Sequence, residues 1–186
     1  MTDDLKLIIA CQDGNSQALT EIYTRHKQDL LLCALALLND HAGAEDAVHD
    51  VFVYFVQHLD RFQNKGSLRN YLIVCLVNRV RNLIKAGQRR QHRHKTKGSE
   101  SLDVLDSRDH HEPVHTLIVN EQMKQLSQAL VCLPYEQREV VMLHIHGQMP
   151  LTRIAQLTKQ PLPTIKSRYR YALKKLRSLF DREVDS

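Results

Sequence analysis

Between Thr164 and Arg182 the sequence sets seven basic side chains against one acid, Asp181. Ile165, Tyr169, Ala172, Leu173, Leu176 and Phe180 recur there at steps of three and four, the spacing of a helical stripe that packs on its neighbours. Lys166, Ser167, Arg170, Tyr171, Lys174 and Arg177 fall opposite. An α-helix fits the major groove of duplex DNA, where Arg and Lys pair with guanine acceptors and bases farther along hold phosphates. The plainer alternative is a surface helix with solubilising charge; the one-signed excess favours groove docking.

A second cluster suits a different state of nucleic acid. Asn78, Arg81, Asn82, Lys85 and Arg89 share a polar stripe, preceded by Phe62 in a loop and by Tyr71 near a helix start. Amides and aromatics beside a basic track match unstacked bases, which expose edges for hydrogen bonding and faces for stacking, so single-stranded DNA is a candidate ligand. Phe62 and Tyr71 taken alone fit core packing equally well. A third cluster, Asp46, His49, Asp50 and Val53, lies at i, i+3, i+4 and i+7. Acids near a helix start can simply complement the helix dipole, or the stripe can dock on a basic protein partner.

Catalytic and metal chemistry find little support. His92, His94, His110, His111 and His115 have no Cys or acidic quartet at ligand spacing, and no His/Asp/Glu cluster lies on a structured element, which disfavours a metal-dependent hydrolase. His144 and His146, two apart on a helix, point to different faces. Cys11, Cys33, Cys75 and Cys132 are isolated in apolar stretches, giving neither a disulfide framework nor a metal site. No cofactor, no metal and no catalytic residue is expected.

The elements that must position these clusters follow from charge and punctuation. Residues 1–60 carry ten acids and three bases, 61–99 eleven bases and no acid, 100–115 five acids and one base, and 116–186 eleven bases and six acids. The one-signed middle block points to a polyanion. All five prolines fall after residue 112, which divides the 186-residue chain in two. With 42% apolar and 25% charged residues it has the composition of a globular protein. No apolar run reaches the length of a membrane helix and the N-terminus lacks a signal peptide's basic region, so a cytoplasmic protein without membrane insertion is expected.

Periodicity predicts an all-α fold: two small helical domains joined by a flexible linker. Helices are expected over 4–12, 16–38, 44–59 and 68–86, with Asn15 or Ser16 and Ser67 as caps. The stretch 88–114 is too poor in apolar residues to offset its ordering entropy and reads as the linker. Beyond it, helices are expected over 115–132, from Pro134 to Gly147, over 151–158, and from Pro163 to about Arg182 after a turn at 159–162. The last two form a helix-turn-helix pattern.

Taken in order, these fragments resemble the bacterial RNA polymerase sigma factors of the extracytoplasmic-function (ECF) type, in the sigma-70 family. Asp13-Gly14-Asn15, Ala18-Leu19, Ile22-Tyr23 and Ala44 to Phe52 are similar to the start of region 2. Phe62, Ser67 to Leu72 and Val77-Asn78-Arg79 are similar to its promoter-melting segment. Leu133-Pro134, Arg138-Glu139-Val140, Ile154-Ala155 and Thr164 to Arg168 are similar to region 4. The resemblance implies region 2 over 1–87, a linker over 88–114 and region 4 over 115–186. It implies that Asp46, His49, Asp50 and Val53 meet the β′ clamp helices of core RNA polymerase, region 4 meeting the β flap. Arg61, Phe62, Asn64, Lys65 and Ser67, with Asn78, Arg81, Asn82 and Lys85, would hold the melted minus-ten strand. Thr164, Lys166, Ser167, Arg168, Arg170, Tyr171 and Lys174 would enter the major groove at the minus-thirty-five element. An anti-sigma factor is an implied partner, along with double- and single-stranded promoter DNA.

Some positions depart from the family pattern. Arg153 stands where an acid is usual, Lys159 and Pro163 where Gly is usual, Pro161 in place of a capping Ser, Tyr171 for a frequent Arg and His49 for a frequent Gln. A lysine in a left-handed turn and a missing cap cost about 1 kcal/mol each. The expected function is promoter recognition and melting on behalf of core polymerase. The alternative is a stand-alone helix-turn-helix regulator that binds duplex DNA without polymerase.

Overall fold

A computed structural model describes residues 3–62, 67–96 and 128–184, apart from the side chains of 61, 90–96 and 180–184. Helix α1 (Asp3–Gln12) carries Asp3 and Asp4 in its first turn, where the helix dipole favours acids. The chain then reverses at Gly14, whose φ of 86° lies in the left-handed region open to glycine. The Asn15 side chain accepts the N–H groups of Gln17 and Ala18 at 2.9 and 3.3 Å and so starts α2 (Ser16–Leu38). Asn39, left-handed at φ 53°, ends it.

Helix α3 (His41–Gln57) begins three residues ahead of the expected Ala44. Asp40 is the cap, accepting the Gly43 N–H at 3.2 Å. A Cβ on Gly43 would meet Asp40 Oδ2 at 2.6 Å, so the absence of a side chain at this position is what lets the cap close. A 3-10 turn at Leu59–Arg61 follows.

The largest difference is in α4 (Leu68–Thr96), which continues well past the expected end at Ala86. Gly87 sits exposed with nothing within 4 Å of where its Cβ would be. One glycine costs a helix about 1 kcal/mol, too little to stop a run of Lys, Arg and Gln, which are good helix formers. Residues 88–96 are therefore helical, in continuation of α4; 97–114 lie outside the described residues.

Helix α5 is described over 128–131, and α6 (Tyr135–Val141) follows Pro134. The single helix expected up to Gly147 instead changes to a π turn at Met142–His146, where the Gly147 N–H reaches back five residues to the Met142 carbonyl at 2.9 Å. A side chain at Gly147 would strike the Leu143 carbonyl at 2.7 Å. Helices α7 (Leu151–Thr158) and α8 (Leu162–Val184) complete the chain. Among the described residues there is no strand.

In the N-terminal half, α1 to α4 bury Ile8, Ile22, Leu30, Leu37, Val51, Phe55, Leu72 and Leu76. In the C-terminal half Val140, Leu143, Ile154, Ile165 and Ala172 are buried. Both sets belong to one continuous apolar cluster. Truncating a fully buried side chain such as Phe55 to Ala costs about 3–5 kcal/mol. Leu173, expected in the packing stripe of α8, is instead 40% exposed; the stripe is narrower and runs through Ile165, Ala172 and Leu176.

Candidate nucleic-acid interface

The turn between α7 and α8 sets the attitude of the basic helix. Lys159 is left-handed at φ 55° and ψ 40°, and the Gln160 N–H returns to the Ala155 carbonyl at 3.0 Å, a closure usually built on glycine. Pro163 lies in the first turn of α8, where its missing N–H is no loss. His144 of the π turn meets the Tyr169 ring edge-on at 4.8 Å between centroids and pairs with the Met149 carbonyl. Farther along α8 the Lys175 ammonium donates to the Cys132 carbonyl at 2.6 Å.

With α8 so fixed, Lys166, Arg170, Tyr171 and Lys174 are exposed on its outer side. Tyr171 is 54% exposed, and the Arg170 guanidinium lies 5.3 Å from its ring centre, a cation–π pair that stiffens both groups. Ser167 is half-buried and its hydroxyl donates to the Thr164 carbonyl at 2.9 Å. Thr164 and Arg168 are half-buried as well. Of the seven expected groove residues, four form an open stripe and three sit at its edge.

On α4 the expected residues divide differently. Asn82, Lys85 and Arg89 are exposed, whereas Asn78 and Arg81 are half-buried, Arg81 against Glu139 of α6. Arg81 Nε donates to Glu139 Oε1 at 2.5 Å and Nη1 donates to the Asn78 amide oxygen at 3.1 Å. The Tyr135 hydroxyl donates to the same Glu139 oxygen at 3.1 Å, and burial beside this carboxylate pushes the phenol's pKa up. Phe62 and Tyr71 meet edge-on at 4.8 Å, and Phe62 packs likewise on Phe55 at 5.6 Å. Of the two readings open for this pair, packing describes their present position. Ser67 is exposed and its carbonyl accepts the Tyr71 N–H, starting α4. Asn64 and Lys65, and the side chain of Arg61, lie outside the described residues.

On α3, Asp46, His49 and Val53 are exposed together, with Tyr54 and Val56 adding apolar area beside them. Asp50 is half-buried and held by Arg79 of α4, whose Nη2 lies 2.6 Å from Oδ2. The face is thus acidic and apolar together.

Sequence reasoning missed the contacts that join the two halves. Arg69 of α4 binds Asp29 of α2 through two nitrogens, at 2.6 and 3.1 Å, and donates to the His146 carbonyl at 3.1 Å. Its Nη2 also lies 3.3 Å from His146 Nδ1. The Asn70 amide donates to Gln148 Oε1 at 2.8 Å. Arg138 donates to the Ala36 carbonyl at 2.9 Å, in the last turn of α2, where helix carbonyls lack partners of their own. Arg69 with His146, Asn70 with Gln148 and Arg138 with Ala36 lie 77 to 102 residues apart in sequence, and no local pattern announces them.

Asp29, Cys33 and His146 bring three ligand-type atoms within 4.8 Å of one another. The Arg69 guanidinium already balances the carboxylate, and burial pushes the Cys33 thiol up to about 12, so the thiolate a metal needs is disfavoured. The cluster acts as an ion-paired seam.

Comparison with known proteins gives two family matches: Sigma-70 region 2 over residues 22–90, and Sigma-70 region 4 over residues 129–178. The ECF RNA polymerase sigma factor SigK of Mycobacterium tuberculosis is 22% identical over 183 residues, covering 97% of this chain and 96% of the relative. RNA polymerase sigma factor SigV of Bacillus subtilis is 23% identical over 162 residues, covering 86% and 89%. Among solved structures, CnrH in complex with the cytosolic domain of CnrY is similar at a TM-score of 0.58, with 20% identity over 96% of this chain and 97% of that one. The sigma factor RpoE, in complex with the anti-sigma factor NepR from Bartonella quintana, is similar at 0.52, with 22% identity over 87% and 96%. No helix among the described residues is long and apolar enough to cross a membrane.

Proposed function

Because the chain belongs to the sigma-70 family, as a sigma factor of the ECF type, we propose a division of labour among its surfaces. The chain directs core RNA polymerase to promoters and initiates transcription there. A stand-alone helix-turn-helix regulator is not favoured, because the region 2 match over residues 22–90 has no place in one.

Region 4 reads the minus-thirty-five element as duplex. The observation that carries this is the exposed stripe Lys166, Arg170, Tyr171 and Lys174 on a helix held by neighbours at Tyr169 and Lys175. Arg170 and Lys166, nearest the helix N-terminus, face base edges; Lys174 holds phosphate. Thr164, Ser167 and Arg168 flank the groove.

Region 2 holds the opened minus-ten strand along α4 with Asn78, Arg81, Asn82 and Lys85, and with Ser67 and the loop carrying Arg61, Phe62, Asn64 and Lys65. Capture of unstacked bases drives melting, because every base held out of the stack is removed from the closed duplex. The α3 face of Asp46, His49, Asp50 and Val53 anchors the factor on the basic side of the β′ clamp helices. The domain limits are 1–87 and 115–186, and region 4 also meets the β flap.

No step of this work breaks or forms a covalent bond, so the chain supplies no catalytic residue; polymerase does the chemistry, and the factor works in the cytoplasm with it. Relatives of this fold have been captured with an anti-sigma factor, and such a partner would compete for the same surfaces here. A run-off transcription assay with core polymerase and a promoter library tests the whole reading. Promoter-dependent transcripts are expected only when the protein is added; none on any template would sink it.

A further inference from the structure

Tyr171 leaves 54% of its surface exposed, more than any other large apolar side chain among the described residues. The packing stripe of α8, through Ile165, Ala172 and Leu176, does not use it. The ring is coupled instead to its neighbour in sequence, the Arg170 guanidinium lying over it at 5.3 Å from the ring centre. Among the described residues Arg170 forms no ion pair that would occupy its donors. We propose that Arg170 and Tyr171 read the minus-thirty-five element as one unit. Arg170 takes a guanine, while the Tyr171 ring braces the guanidinium and covers a thymine methyl on the adjoining base pair. A guanine beside a thymine is then the specificity step of this factor.

A guanidinium offers two kinds of surface. Its flat face rests on the electron-rich ring, whereas its N–H donors lie at the edge, in the fork that pairs with O6 and N7 of guanine. The ring contact therefore costs Arg170 none of its capacity to bind guanine, and it removes part of the freedom a long side chain loses on binding. A phenol has no such fork. What its ring brings is apolar surface, and in the major groove thymine alone presents an apolar group, its C5 methyl. The spacing agrees: consecutive helix residues stand about 1.5 Å apart along the axis. The 5.3 Å between guanidinium and ring centre lets the two groups meet base pairs stacked about 3.4 Å apart.

The inference rests on α8 entering the major groove at the minus-thirty-five element, so its test keeps the two apart. Holoenzyme carrying the full-length chain selects promoters from a random library, and the enriched element is made as a labelled duplex. In two altered duplexes uracil replaces the thymine, deleting only the methyl, or 7-deazaguanine replaces the guanine, deleting only the N7 acceptor. Wild-type holoenzyme is expected to enrich the guanine and thymine side by side. It should lose affinity about fourfold on the uracil duplex and about tenfold on the 7-deazaguanine duplex. Tyr171→Ala is expected to bind thymine and uracil duplexes alike, and to feel the loss of N7 about two- to fivefold less than the wild type, because its guanidinium has lost the brace. Tyr171→Phe, which keeps the ring, should behave as the wild type does. A selected element without the step, a wild type indifferent to the methyl, or a Tyr171→Phe protein that behaves like Tyr171→Ala each overturns the inference, while dependence on the element as a whole still upholds the groove reading. If scrambling the whole element costs the holoenzyme nothing, the groove reading itself fails and this inference falls with it.

Discussion

Arg79 of α4 grips Asp50 of α3 through both Nε and Nη2, at 2.7 and 2.6 Å from the same carboxylate oxygen. A residue proposed to meet polymerase is therefore already committed within the bundle, while Asp46 and His49 are exposed on the open side. The pair is about half exposed, so its contribution to stability is small, about 0.2–1 kcal/mol. Exchanging the two charges, Asp50→Arg with Arg79→Asp, should leave the thermal midpoint nearly unchanged. If Asp50 faces the clamp helices, the exchanged protein loses core binding in a pull-down as badly as Asp50→Lys does. Recovery of binding would make the pair purely internal and leave Asp46 as the polymerase contact.

On α8 the exposed residues separate base reading from phosphate holding. Arg170→Ala should weaken holoenzyme binding to a promoter by about 1–3 kcal/mol and relax discrimination at one position of the minus-thirty-five element, with core binding intact. Lys174→Ala should weaken all sequences alike and lower the salt slope of binding by about one. Anisotropy titrations at several salt concentrations, on matched and mismatched duplexes, distinguish the two. Equal loss on every duplex for Arg170→Ala would move it from the base edge to the backbone.

The local half of this architecture was legible and the long-range half was not. Asn15, the helix stripe from Val48 to Phe55 and the turn before α8 follow from residue types a few positions apart, and all appear where the sequence puts them. Gly43 and Gly87 lie just outside the expected helix limits at 44 and 86, yet both fall inside helices, for different reasons. The first completes an Asp40 cap and the second lies in a helix strong enough to absorb it. Nothing in the neighbourhood of Arg81 foretells Glu139, because the pairing is decided by how two finished halves meet. Phe62 shows the same limit: its ring could have packed or stacked a base, and only the position of Phe55 and Tyr71 decides its present place.

Lys159 carries a left-handed backbone at φ 55° without glycine's freedom. An L-residue with a Cβ pays about 1 kcal/mol there, so Lys159→Gly should raise stability by up to that amount, less glycine's extra chain entropy. Lys159→Val, branched at Cβ, should lower it. Thermal unfolding of the three proteins under one set of conditions gives the order Gly, Lys, Val, and a Val protein as stable as the Lys one would show that the turn relaxes out of the left-handed region.

Acid should loosen the seam between the halves. His146 is surrounded by Arg69 of α4 and by Asp29 and Cys33 of α2. Burial first, and the Arg69 charge second, hold its pKa below the ordinary 6.5, with Asp29 opposing. Arg69 has only donors, so the Nδ1 beside it must be bare and the closed form holds a neutral ring. The sign follows from proton uptake: once the seam opens, the ring regains water and its ordinary pKa, and the open form binds the proton more readily. Closure is then at full strength above about pH 6.5 and weakens as pH falls through that value. His26, also depressed by burial, lowers the stability of the N-terminal bundle itself over the same range. His146→Gln separates the two effects, since it removes only the response of the seam. Scattering from about pH 7.5 to about pH 5.5 should show the wild type expanding and the variant far less, while unfolding of the bundle shifts equally in both. Equal expansion of both proteins would remove His146 from the account and leave the acid response to His26.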